Sequence, residues 1–148
     1  MVTAVVIIIL SLAMFVYWFR YSCLLILESD WNEDKANVVA LQNGLSFGSI
    51  KEKLAAAESA EDLESVRDLL DRDLAAVLSL LSTRSDAPDS GISLECRMLM
   101  LDYQFMKAWF AVMRPIAGPA AQVALREMAL VVGYMAGECE EKLDSVTQ

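Results

Sequence analysis

From Val2 to Phe19 the chain reads VTAVVIIILSLAMFVYWF, without a charge, a proline or a glycine. No other stretch limits the fold as much. A helix needs roughly 20 predominantly apolar residues to cross the hydrocarbon of a bilayer, and it satisfies its own backbone polar groups there. Residues 1–27 are therefore predicted to form a transmembrane anchor with a juxtamembrane extension. Val2, Ile7, Ile8, Ile9 and Leu10 lie in the span, and Phe15, Tyr17, Trp18 and Phe19 suit an interfacial aromatic belt. Arg20, the only charged side chain before Glu28, is predicted to snorkel toward the headgroups.

Three other readings of this stretch compete with the anchor. A cleaved secretory signal needs a basic residue ahead of its apolar core and small residues at a cleavage site, and the sequence has neither. A lipoprotein signal ending at Cys23 needs an apolar residue where Arg20 stands, and a pilin-like assembly helix carries a glutamate near its start, whereas the first acid here is Glu28. Orientation follows from Arg20 and Lys35, which lie after the span with no lysine or arginine before it. Basic residues within about 15 to 20 residues of a span stay on the cytoplasmic side, so the N-terminus is predicted outside and the remaining chain in the cytoplasm.

Beyond the anchor, the 148-residue chain has room for one domain with its own core. Its three cysteines, Cys23, Cys96 and Cys139, are odd in number and widely spaced, so reduced thiols rather than a disulfide framework are expected. Cys23 is a position where acylation is conceivable, but a small apolar filler is the commoner use of a free cysteine.

In chain order, Asp30 and Glu33 have the spacing of a capping box for a helix from Trp31 to about Gln42, stopped by Asn43-Gly44. Ser46 or Ser49 opens a short helix with Phe47, Ile50 and Leu54 at helical spacing, Ser49 having Glu52 three residues on. These lead-in helices occupy residues 28–58. Ser59 with Asp62 opens a long helix whose face is Leu63, Val66, Leu70, Leu74, Val77 and Leu81. Residues 82–91, STRSDAPDSG, form a loop.

A second long helix runs from about Ile92 to Met113 and stops before Arg114-Pro115. Leu94, Met98, Leu101, Phe105, Trp109 and Val112 make one stripe and Leu99, Met100, Tyr103, Met106 and Phe110 extend it, so this is predicted to be the most buried helix. Asp102 and Lys107 argue against a second span. After the turn Pro115 to Pro119, a last helix extends to about Leu143. It has an apolar face of Ala121, Leu125, Met128, Val132, Met135 and Cys139. Beside that face, Ala129, Gly133 and Gly137 form a row of small residues that would admit a close helix, inside the bundle in preference to a partner. The three-helix core thus spans 59–143, and 144–148 is a frayed tail.

The chemistry is defined by absences. With 12 basic and 21 acidic side chains the formal net charge is -9, which repels a phosphate backbone and excludes nucleic acid as a partner. The sequence has no histidine, hence neither the commonest general base nor the commonest metal ligand. No phosphate-binding glycine loop, paired-cysteine metal spacing or activated nucleophile is present. The acidic pairs, Asp71 with Asp73 and the Glu138, Glu140 and Glu141 cluster, read as solvated charge rather than a metal site.

The predicted fold is all-α: a single N-terminal transmembrane helix followed by a small up-and-down helical bundle. The predicted function is that of a non-enzymatic, membrane-anchored interaction or structural subunit of a larger membrane assembly. Its partners would be membrane lipid and membrane proteins, with a homo-oligomer also compatible, and no cofactor or catalytic residue is expected. The alternative is a membrane-tethered sensor or enzyme with an apolar ligand pocket between the last two helices.

Overall fold

The computed structural model describes residues 1–29, 33–83 and 93–147. The fold is all-α, with one long apolar helix at its N-terminus and a helical bundle after it. Helix α1, Val2–Ser29, is continuous through Arg20. Its stretch Val2–Glu28 is long and apolar enough to cross a membrane, and its apolar window is not covered by the bundle.

Helix α2, Glu33–Asn43, ends where the sequence expects it to. Gly44 has φ 64°, the left-handed conformation that a residue without Cβ adopts at little cost. The Leu45 N–H then donates back to the Ala40 carbonyl at 2.9 Å, closing the helix end in a Schellman arrangement. The expected capping box at Asp30 lies outside the described residues. A single 3-10 turn, Phe47–Ser49, passes into α3, Ile50–Ala56. Phe47, Ile50 and Leu54 are buried as their spacing predicts. Ser49 precedes α3 but does not cap it; its hydroxyl donates back to the Ser46 carbonyl at 2.9 Å.

Helix α4, Ala60–Thr83, opens on a reciprocal cap. The Asp62 N–H donates to Ser59 Oγ at 3.2 Å, and the Ser59 N–H donates to Asp62 Oδ2 at 3.0 Å. The Ser59 hydroxyl, which donates to Asp62 Oδ2 at 2.8 Å, and the Ser59 and Glu58 N–H groups hold the Asp62 carboxyl below its ordinary pKa. All six residues of its predicted stripe are buried. Ser82 and Thr83, expected to open the loop, still belong to α4; the rest of the predicted loop, residues 84–91, lies outside the described residues.

Helix α5, Leu94–Met113, is capped by Ser93, whose side chain accepts from the Cys96 N–H at 3.2 Å. It is bent back through residues 114–117 into α6, Gly118–Thr147, which continues past the stop expected near Leu143. Helix α6 is the hub of the molecule: all five other helices pack on it, whereas no Cα of α4 comes within 8 Å of α5. Long side chains join those two instead. Arg114 reaches Glu64 at 2.7 Å, and Asp71 accepts from the Tyr103 hydroxyl at 2.9 Å and from Lys107 Nζ at 2.7 Å. These pairs run in opposite chain order, so α4 and α5 are antiparallel.

Two expectations are corrected here. The most buried helix is α6, where every residue from Val131 to Ala136 is buried. The inward face of α5 is Cys96, Leu99, Asp102, Tyr103, Met106 and Phe110. Leu94, Leu101, Phe105, Trp109 and Val112, the leading stripe of the sequence reading, are exposed.

Candidate functional site

The chemistry that the fold concentrates lies where α1 meets the α5–α6 hairpin. Arg20 does not reach out of the molecule toward headgroups, as snorkelling requires. Its guanidinium instead turns inward onto two carboxylates, Asp102 Oδ1 at 3.2 Å and Glu127 Oε2 at 2.6 Å. Only 2% of the Asp102 side chain is exposed, against 21% for Arg20 and 17% for Glu127. A buried charge is tolerated when it is paired and hydrogen-bonded, and the fork of the guanidinium suits two acceptors at once.

One cation between two acids leaves the cluster net negative. Burial pushes the Asp102 carboxyl above the ordinary carboxylate range; Arg20 opposes that shift and Glu127 adds to it. Past this clamp, Cys23 and Leu27 complete the attachment of α1 and are buried, with Phe19 and Ile26 partly covered. Cys23 has no exposed surface, which fits the filler role and leaves no access for acylation. Cys96 and Cys139 are likewise buried.

The remaining residues of the predicted anchor lie on the uncovered side of the clamp. Val2, Ile7, Ile8, Ile9, Leu10, Phe15, Tyr17 and Trp18 are all exposed, and Phe15 stacks on Phe19 with ring centroids 6.3 Å apart. Beside the clamp an open recess of about 310 Å³ is lined by Phe105, Met106, Trp109, Val123 and Ala124 together with Arg20 and Glu127.

The small-residue row does not act as a unit. Gly133 is buried and Ala129 half-buried; Ala129 borders a recess of about 70 Å³ together with Asn37, Phe47, Ile50 and Leu54. Among the described residues, a Cβ placed on Gly137 would meet nothing within 4 Å, so none of their helices approaches closely there. The recess is far below the roughly 300–1,000 Å³ of ordinary ligand pockets.

The acidic pair on α4 is committed elsewhere. Asp71 faces Tyr103 and Lys107 on α5, while Asp73 accepts from the Ser46 N–H at 2.6 Å and stabilises the entry to the 3-10 turn. Burial raises the Asp73 pKa against the pull of the Ser46 and Phe47 N–H groups. Burial also raises the Tyr103 phenol, as does its bond to Asp71. Among the described residues no three of His, Cys, Asp and Glu are grouped to hold a metal ion.

Sequence reasoning missed Asp102 and Glu127 as partners of Arg20. The available signal was Asp102, a carboxylate directly after the apolar run Met98 to Leu101, which demands a cation from somewhere. Comparison with known protein families, with curated proteins and with solved structures finds no match for this chain.

Proposed function

We propose that this protein is a non-enzymatic, single-pass membrane subunit that holds a helical bundle at the bilayer surface as an interaction or structural element of a larger membrane assembly. One observation carries the reading: α1 presents an uncovered apolar length while its base is ion-paired into the bundle through Arg20. An exposed apolar helix of this size is stable in lipid or against another membrane helix, and not in water. A helix base clamped to two elements gives the bundle a set orientation, which suits assembly more than free tethering. The alternative, an apolar ligand pocket between α5 and α6, has less support: the recess of about 310 Å³ that the two helices share is open, and Leu99, Phe110, Leu125 and Met128 are fully buried.

The orientation proposed is N-terminus outside and bundle in the cytoplasm, from the basic residues after the span. Two measurements test the proposal. The full chain should remain with membranes through alkaline extraction and co-purify with defined membrane proteins in mild detergent. Ser85→Cys, in a background without the native thiols, should resist an impermeant thiol reagent in intact cells and react after permeabilisation. Release by alkali would overturn the anchor, and efficient labelling of intact cells would overturn the orientation.

A further inference from the structure

We infer that the end of the α5–α6 hairpin rests in the interfacial layer of the same bilayer that holds α1, through Phe105, Trp109, Val112, Ile116 and Val123. This rests on the anchor reading above and adds a second, peripheral contact between protein and lipid. All five side chains are exposed, Phe105 by 39%, Trp109 by 43% and Val123 by 54%. An apolar patch of this kind marks a membrane or protein contact more often than bare surface, and the position of the patch chooses lipid.

Arg20 fixes the level, since its two partners sit midway along α5 and near the start of α6. The direction follows from burial. Cys23 and Leu27, which come after Arg20, are covered by the bundle. The hairpin is closed on the side of Leu99, Val131 and Tyr134, and open on the side of Phe105, Trp109 and Val123, where Arg20 lines the recess. The segment after Arg20 therefore covers the closed side, α1 runs antiparallel to α5, and the hairpin end points the way that the apolar length of α1 points.

The distances agree. At about 1.5 Å per residue, Phe105 and Val123 lie roughly 5 Å beyond the clamp, level with Tyr17 to Val16, and Trp109 lies roughly 10 Å beyond it. The residues of α1 from Val2 to Phe15 are all exposed, so the bundle does not cover them and lipid can enter between them and the hairpin end. The basic residues of this half of the hairpin face elsewhere, Lys107 and Arg114 turning to Asp71 and Glu64 on α4. Tryptophan and phenylalanine favour such interfacial positions. With a net charge of -9, contact would be driven by apolar burial and not by anionic lipid.

The test uses the full chain at one copy per phosphatidylcholine nanodisc. Trp18→Phe with Trp31→Phe leaves Trp109 as the sole tryptophan, and Trp31→Phe with Trp109→Phe leaves Trp18. Lipids spin-labelled near the headgroup should quench both, with Trp109 emission shifted to the blue. Quenching of Trp18 without Trp109 would overturn the inference and leave the anchor standing. Quenching of neither would overturn the anchor and the inference with it. A Trp109 signal that ignores labelled lipid but shifts when a second chain enters the disc would assign this face to a second copy instead.

Discussion

At Arg20 a single guanidinium decides whether two carboxylates can share the inside of the molecule. Removing one partner of a buried ion pair costs about 3–5 kcal/mol, because the other charge stays behind unpaired. Arg20→Ala should therefore loosen the base of α1 and expose Cys23. With Cys96 and Cys139 replaced by Ala, Cys23 in detergent should react with a thiol reagent about 100-fold faster than in the Arg20 protein, the rate that about 3 kcal/mol of local opening gives. The effect should depend on pH with a definite sign. The Asp102 pKa in the folded chain lies above its ordinary value, so its protonated form is the one the fold prefers. That contribution is complete below the unfolded pKa and is lost as pH rises through the folded one. Acidification should narrow the difference between Arg20→Ala and the parent; a gap that widens toward low pH would assign the clamp to other groups.

Among the elements, α4 and α5 mark what periodicity can and cannot tell. The stripe of α4 is legible because charge fills its other side, so only one face can turn inward, and Ser59 with Asp62 announces its start. Helix α5 is apolar on two faces, and spacing alone does not say which meets α6. The choice falls to Asp102, which must face Arg20 and so rotates Leu99, Met106 and Phe110 inward and Leu101, Phe105 and Trp109 outward. On α6, the row of small residues splits into a buried Gly133 and a Gly137 with open space around it. Gly133→Leu should overpack the bundle and cost about 1–3 kcal/mol, whereas Gly137→Ala should stabilise the helix by about 0.5–1 kcal/mol. Thermal melting of the full chain in detergent measures both. An unchanged melting temperature for Gly133→Leu, with loss of a co-purifying protein, would move that glycine from the core to a partner contact.

For the whole molecule, the fold class and the place of each helix were readable from local pattern, while the joint was not. Arg20 is separated from Asp102 by 82 positions and from Glu127 by 107, and no local periodicity connects residues so far apart. The same joint predicts how the molecule divides. A fragment of residues 30–148 keeps the α6-centred core and should be helical and cooperative in melting, yet it lacks Arg20, Cys23 and Leu27. A fragment of residues 20–148 retains them and should be more stable by about 3 kcal/mol, the price of leaving Asp102 without its cation. Urea unfolding of the two followed by circular dichroism measures the difference; equal stability would show that α1 is attached without being energetically coupled.

Helix α1 passes from its apolar length into the clamp as one uninterrupted helix, with no glycine or proline along Val2–Ser29. A joint of that kind has no slack. On the anchor reading proposed above, whatever leans on the outer part of α1, a neighbour in the bilayer or a change in bilayer thickness, would be delivered to the bundle as a swing of the whole body. The α6 helix, at 30 residues, is about 45 Å long, so a tilt of about 10° carries its far end through about 8 Å. On that reading α1 would be one arm of a lever whose other arm is α6.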